Sequence, residues 1–553
     1  MSAFGRGTAD GFARAVAVDV GPTPAFEGQR RLFHGAAVPP NGRDAAGWGV
    51  HRVMGTETEF GIHAPANPGA HHSVLSVELV NAYADLVTRS GSAVAGTEWD
   101  YTGESPLVDA RGWRLPRSAA HPSQLTDEAL VGPDGEPVHL LLSTVLANGA
   151  RWYVDHAHPE YSSPETTTPR DAMVWDAAGD LVAQAAAEHI GQAEGAPEVL
   201  VYKNNVDGKG QSYGAHENYL ISRELALKSF GQQLLPFLIT RQLICGAGKI
   251  AGDTFVISQR ADQVWEGVSS ATTRTRPIIN TRDEPHGDSH RFRRMHVIVG
   301  DSNMSEPTFA LKVGSMLLVI EMLEAGFDLP DMELVDPIAH IRDIAADPTG
   351  ATELTLAAGG TVTALEVQQR TLEAAKRWLT QRPDEGTPNE EMARVVDLWT
   401  RVLDAIATQD FSGVDTEIDW VIKRKLLTQF KDRLRCGWDH PKLAQIDLTY
   451  HDINPDRGLF YVLERKGLAA RWIDDTAIEE AVDNPPATTR AAIRGEFLTV
   501  VRERGLAHNV DWVHLKVNRP EPRTVELLDP FATTDDAAAD LISWVRAQET
   551  EEG

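Results

Sequence analysis

Apolar and polar residues alternate from Val53 to Ile62 within "HRVMGTETEFGIH", the period-two pattern of a strand with two unlike faces. Directly after it, "SVLSVELVNAYADLVTRS" repeats apolar residues at helical spacing and predicts a helix. Residues 104–139 then show scattered Pro and Gly and no clean period, which reads as a long loop, and loops of that length inside compact proteins tend to be functional or disordered. Alternation returns in "RWYVD", Arg151 to Asp155. It is followed by "TTTPRDAMVWDAAGDLVAQAAAEHI", where Thr168 is placed to cap a helix with Pro169 at its first position. Strand patterns recur in "EVLVYKNN", "AHENYLIS" and "RRMHVIVGD", the first two separated by the Gly-rich turn "VDGKGQSYG". Beyond them lie a helix apolar all round ("FALKVGSMLLVIEMLEAG"), amphipathic helices through 361–430, and a last unit with a helix in "TRAAIRGEFLTVVRERG" and a strand in "VDWVHLKVN". Strands mixed with long helices, without regular alternation, predict an α+β fold rather than a doubly wound sheet. We expect a flexible extension over 1–48, a catalytic domain over 49–479 that includes the 104–139 loop, and a small C-terminal α/β domain over 480–545.

Residues i and i+2 of a strand share a face, so polar groups at that spacing can converge on one pocket. Glu57 and Glu59 have this spacing, as do Arg151, Tyr153 and Asp155, then His216 and Asn218, and finally Arg294 and His296. A solvated sheet face also alternates, but such faces are usually filled with Lys, Thr and Ser. Four segments offering Glu, His, Tyr, Asn and Arg instead point to a site. Carboxylates with occasional imidazoles suit Mg²⁺ or Mn²⁺, with zinc as the competitor. Arginines such as Arg151 and Arg294 are able to neutralise phosphate oxygens. Asp155 is followed by "HAHPE", a turn expected to bring Glu160 back beside it, and a carboxylate in that position serves equally as ligand, base or nucleophile. His156 and His158 fall on the opposite parity to Asp155 and read as structural hydrogen-bonding residues. Trp512 is open to two readings, core packing or stacking on a base.

Composition narrows the partners. Against 52 basic residues stand 80 acidic ones, a formal net charge of -28, which repels nucleic acid and anionic membranes. Two cysteines, Cys245 and Cys436, are too few for a disulfide framework, and no apolar run approaches a bilayer-spanning length, so the expectation is a cytoplasmic protein. "GAGKI" lacks the spacing of a phosphate-binding P-loop and "GKGQSYG" is not a dinucleotide turn, so any nucleotide would lie on a sheet through metal ions.

Long motifs carry a resemblance: "MGTETEFGI", "NGARWYVDHAHPEYSSPE", "YKNNVDGKGQSYGAHENYL", "PIINTRDEPH" and "RRMHVIVGDSN" are similar to the Pup ligase and depupylase family, over about His51 to Phe531. The resemblance implies a glutamine synthetase-like antiparallel sheet cradle with packed helices, using ATP and Mg²⁺. It implies metal ligands at Glu57, Tyr153, Glu160, His216 and His296, with Glu59 close by. ATP contacts would fall at Arg151, Ser162, Ser163, Asn218, Arg294 and Trp512, and the catalytic aspartate would be Asp155, as base or nucleophile. Its partners would be Pup, a small ubiquitin-like protein, and pupylated proteins, with a link to the proteasome. Within the family, "TEWDYTGESPLVDARGWRL" looks like the loop of the depupylase branch, whereas "VWEGVSSATTRTRPIINTRDEPH", "YHDINPDRGLF" and "VDWVHLKVN" look closer to the ligase branch. The expectation drawn from that loop is a hydrolase that deamidates the C-terminal Gln of Pup and cleaves the Pup–lysine isopeptide bond. The alternatives are a ligase forming that bond through a γ-glutamyl phosphate, and a catalytically silent regulator that binds Pup or nucleotide.

Overall fold

The computed structural model describes residues 49–89, 98–100, 107–110, 113–114, 143–155, 157–192, 198–207, 210–225, 227–270 and 276–548. The expected N-terminal extension lies outside these residues, as does most of the expected 104–139 loop. The described part of that loop pairs Val108–Asp109 with Trp113–Arg114, and the buried Asp109 accepts a hydrogen bond from Thr281 Oγ1 at 2.9 Å, which docks the pair on the main sheet.

An eight-stranded sheet organises the molecule. Its strands are β1 (Met54–Glu59), β2 (Ser143–Val145), β3 (Arg151–Asp155), β4 (His158–Ser162), β5 (Ala215–Ser222), β6 (Glu266–Ser269), β7 (Pro277–Asn280) and β8 (Phe292–Val297), in spatial order β6-β7-β8-β5-β1-β4-β3-β2. Every neighbouring pair is antiparallel except β6 and β7. This is the antiparallel sheet cradle with packed helices expected from the sequence.

Helices cover one face of the sheet. Met54, Tyr219, Ile221, Met295 and Val297 point down into the core, against α1 (Pro169–Gly191) and α2 (Glu306–Glu324). Thr168 Oγ1 accepts the Asp171 N–H at 3.0 Å with Pro169 in the first turn, as the sequence predicts. Along α2 every residue from Pro307 to Leu323 is buried, which explains a helix without a polar side. Charges trapped on this side are paired. Glu217 of β5 meets Arg241 in a two-pronged contact of 2.6 and 2.8 Å, and Lys203 bridges Asp176 and Asp180 of α1 at 2.6 and 2.9 Å, just below Thr58 of β1.

A second sheet has its own apolar core. Arg523–Glu526, His514–Val517 and His508–Val510 form an antiparallel set, and Glu98–Trp99 adds to its edge in parallel. Phe497, Leu498 and Val501 of α3 (Ala491–Glu503) and Leu541 and Ile542 of α4 (Asp536–Arg546) pack beneath it. The single strand expected across "VDWVHLKVN" is in fact two. Asp511 Oδ1 accepts the N–H groups of Val513 and His514, both at 2.6 Å, and this side-chain-closed turn reverses the chain. Trp512 therefore sits at a hairpin tip instead of inside a strand.

Candidate active site

Antiparallel pairing places the polar residues of five strands on the open face. Glu57 of β1 lies opposite His216 of β5 on one side and Ser162 of β4 on the other, and Glu59 lies opposite Glu160. Farther out, Tyr153 pairs with Glu160 and Arg151 with Ser162, while Asn218 pairs with His296. The i, i+2 spacing visible in the sequence thus becomes a contiguous polar floor.

Two clusters of ligand-capable atoms occupy this floor, each with its atoms within 4.8 Å of one another: Glu57, His216 and His296 in one, Glu59, Asp155 and Glu160 in the other. In the first, His216 Nδ1 is 3.0 Å from Glu57 Oε2 and Asn218 Nδ2 donates to Glu57 Oε1 at 2.9 Å. Arg294 donates to Asn218 Oδ1 at 2.7 Å and lies 3.8 Å from Glu57. Burial would raise the Glu57 carboxyl, but its hydrogen-bonding and cationic neighbours, His216 and Arg294 among them, hold it well below the usual carboxylate range. Burial keeps the His296 imidazole well below its ordinary value, the neutral form that has a lone pair for a metal.

The second cluster is governed by repulsion. Burial, followed by the charges of Asp155, Glu57 and Glu59, pushes Glu160 well above the carboxylate range, although the Tyr153 hydroxyl donates to it. Three carboxylates so close cannot all ionise without a cation between them. This donor set of hard oxygens beside imidazole nitrogens fits a divalent ion such as Mg²⁺. Gly214 makes the crowding possible, since a methyl group there would overlap His216 Nε2 and lie 2.8 Å from Glu59 Oε1.

Beside Glu57 the floor opens into a cleft enclosing about 560 Å³, counted out to its mouth. Ser162, Ser163, Asn218, Arg294 and Trp512 all line it, as do Gly55, His286, Glu165 and Arg490. Arg151 does not line this cleft. Its guanidinium is stacked 4.0 Å from both the Trp99 and Tyr153 rings, and its Nε donates to Ser143 Oγ at 2.9 Å. Trp512 closes the cleft from the second sheet, its ring 5.3 Å from Trp99 and 6.4 Å from His286.

One parity expectation fails. His158 does not project away from Asp155; the two residues pair directly, and His158 shares the open face with Glu160, its Nδ1 3.5 Å from Glu59. Counting parity through "DHAH" treats a hairpin as continuous strand, and the reversal between β3 and β4 resets it. His156 lies outside the described residues. The sequence reading also missed Glu165, Arg490 and His286. Glu165 belongs to the quoted "SSPE", but only the fold shows that two arginines over 300 residues away converge on it.

The fold and its site define a class, α+β proteins whose chemistry is gathered on the open face of an antiparallel sheet. The chain belongs to the Pup-ligase protein family, whose model matches residues 52–516. It is 59% identical over 411 residues to the Pup–protein ligase of Corynebacterium aurimucosum, covering 72% of this chain and 86% of the relative. To the Pup–protein ligase of Corynebacterium urealyticum it is 49% identical over 476 residues, 80% of this chain and 94% of the relative. Among solved structures it is similar to the Pup ligase PafA in complex with Pup, with a TM-score of 0.76, 44% identity, and coverage of 90% of this chain and 91% of that one. It is likewise similar to PafA in complex with ADP, with a TM-score of 0.70, 53% identity, and coverage of 73% and 90%.

These likenesses overturn the expectation of a deamidase and depupylase, because the relatives and both solved neighbours are ligases. The stretch that suggested the hydrolase is, where described, scaffolding. Glu98–Trp99 is a strand of the second sheet, and Val108–Asp109 belongs to the hairpin docked on Thr281. The segments that looked closer to the ligase branch carried the better signal. No helix among the described residues is long and apolar enough to cross a membrane.

Proposed function

We propose that the chain is an ATP-dependent ligase joining the side-chain carboxylate of the C-terminal glutamate of Pup to lysine amines of proteins. The observation that carries this reading is the 59% identity to a Pup–protein ligase over 411 residues, a relationship the TM-score of 0.76 to a Pup-bound ligase repeats in three dimensions. The chemistry of the floor supports it. A carboxylate and an amine do not condense spontaneously in neutral water, so the carboxylate must first be activated. A nucleotide in the cleft, its phosphates toward Glu57 and Arg294, would lie beside the acidic cluster. The glutamate oxygen of Pup attacks the γ-phosphorus, the bond to the β-phosphate oxygen breaks, and ADP leaves behind a γ-glutamyl phosphate. The lysine amine then attacks the acyl carbon, Asp155 accepts its proton, and phosphate departs with the former carboxylate oxygen.

In this reading Ser162, Ser163, Asn218, Arg294 and Trp512 hold the nucleotide from the cleft walls. Arg151 acts one row away, its planar group fixed between two rings. Glu57, His216 and His296, and Glu59, Glu160 and Tyr153, would hold Mg²⁺, which when bound offsets the charge of the phosphates and of the carboxylate cluster. The Tyr153 phenol, whose ionisation is pushed well above its ordinary value by burial and by Glu160, keeps its proton and orients that carboxylate.

Incubating the protein with Pup ending in glutamate, ATP and a lysine-bearing acceptor tests the proposal. Conjugate should accumulate with one ADP per bond formed. Loss of preformed conjugate, with no new conjugate and no ATP turnover, would refute it.

A further inference from the structure

Glu165 lies three residues beyond Ser162, where the chain leaves β4, and it lines the cleft. Its carboxylate meets two arginines from one helical stretch. Arg490 Nε donates to Oε1 at 2.8 Å, and Arg494 spans both oxygens, NH1 at 3.2 Å from Oε1 and NH2 in contact with Oε2. Both arginines are almost wholly buried, at 2% and 1% exposure. A pair serving only to neutralise charge would need no more than this.

Further contacts of these arginines run to backbone carbonyls, Arg494 Nε to that of Gly149 at 3.3 Å and the others to the Trp512, His286 and Leu527 segments. Arg494 NH1 donates to the carbonyl of Trp512 at 3.2 Å, and its guanidinium carbon lies 5.1 Å from the centre of the Trp512 ring. Arg490 NH2 donates to the carbonyl of His286 at 2.5 Å and NH1 to that of Leu527 at 2.6 Å. His286 is a non-glycine residue with a positive φ of 48°, a backbone state that needs outside support, and its ring faces Trp512. On the other side, Thr489 Oγ1 donates to the carbonyl of Glu165 itself at 2.8 Å. The sheet floor, the loop at Pro285–His286 and the Trp512 hairpin tip are separate in sequence, and one partly buried carboxylate ties them together.

We infer that Glu165, acting through Arg490 and Arg494, is the positioning residue that fixes Trp512 and His286 in the cleft wall against which a nucleotide base would rest. The inference rests on the reading of this cleft as the nucleotide site. Glu165 itself does not contact the reacting groups. Its work is done before binding, holding the stacking wall in place so that less ordering is needed when the ligand arrives.

Calorimetric titration of the full chain with ADP, together with conjugation rates over a range of ATP concentrations, tests this. In Glu165→Gln the Kd for ADP and the KM for ATP should rise together by roughly tenfold, as expected when a charge-assisted contact supporting the site is lost. At saturating ATP, kcat should stay within about threefold of wild type, because the reacting floor is untouched. Trp512→Ala should also weaken ADP, and adding Glu165→Gln to it should weaken ADP little further, since the two act through one ring. Arg494→Lys keeps the charge beside Glu165 but lacks the planar fork, and should raise the ADP Kd by itself. That variant decides the matter if Glu165→Gln does not fold.

Unchanged ADP binding in folded Glu165→Gln, or in Arg494→Lys where Glu165→Gln does not fold, overturns the inference. So does full additivity with Trp512→Ala, or a fall in kcat at unchanged KM. Failure of the wild-type chain to bind ADP at all would instead sink the nucleotide reading, and this inference with it.

Discussion

Replacing Glu165 with glutamine should destabilise the folded chain by an amount that depends on pH in a calculable way. The two arginines hold the buried carboxyl down to about 2 from an ordinary 4.5, even though burial alone would raise it. A depression of that size corresponds to about 3 kcal/mol of folding stability at neutral pH, taking 1.36 kcal/mol per unit. Removing one partner of a buried ion pair costs about 3–5 kcal/mol by general experience, so two routes give one scale. Because the folded value is the lower one, this stability is fully present above the unfolded value. It is lost as pH falls from about 4.5 towards 2. Glutamine does not titrate, so the gap between wild type and variant should narrow by about 2 kcal/mol between pH 7 and pH 3, while the other carboxylates cancel in the comparison. Urea unfolding at several pH values, followed by tryptophan emission, measures the gap. A gap that stays constant from pH 7 to pH 3 would refute the reasoning, because it would show that the carboxylate's charge carries none of the effect.

Asp155→Asn should reduce conjugate formation by roughly 10²–10⁴-fold while leaving ADP binding near wild type, measured by single-turnover assay beside calorimetry. Gly214→Ala should displace the His216 ring and crowd Glu59, weakening Mg²⁺ binding by about tenfold or more in a titration of the divalent ion, with little change in far-ultraviolet circular dichroism. Glu217→Gln strands Arg241 beneath the sheet and should cost about 3–5 kcal/mol in urea unfolding; replacing both residues with apolar ones of similar volume should recover much of that loss.

Much of the architecture was legible because local pattern and tertiary role agree. The strand read from "AHENYLIS" coincides residue for residue with Ala215–Ser222, and Thr168 caps its helix as its chemistry dictates. The shared face of Glu57, Glu59, His216, Asn218, Arg294 and His296 follows from period-two geometry, and antiparallel register then aligns the strands. Legibility ended where a short polar side chain or a reversal decides the path. Asp511 closes a turn inside an apparently continuous strand, and the hairpin after Asp155 brings His158 onto the face that counting had denied it. Contacts between distant segments were invisible for another reason. Nothing about Glu165 or Arg494 taken alone reveals 329 residues of separation closing to a buried contact. The expectation of a hydrolase fails because one conspicuous stretch outweighs several quieter ones that resemble the ligase branch.

The residues lining the cleft run from Val53 to Pro530, and this spread also orders events during synthesis. The last strand of the main sheet ends at Val297, whereas Arg490, Trp512 and Pro530 come more than 190 residues later. At typical rates of chain elongation, the strands of the polar floor are synthesised roughly 10–50 s before the wall of the cleft that Trp512 closes. During that time an emerging chain carries the clustered carboxylates without the part of the cleft lined by Arg490, Trp512 and Pro530. The cleft is complete only with the final stretch of polypeptide, so a product truncated before Arg490 would carry the acidic floor with one wall of the cleft missing.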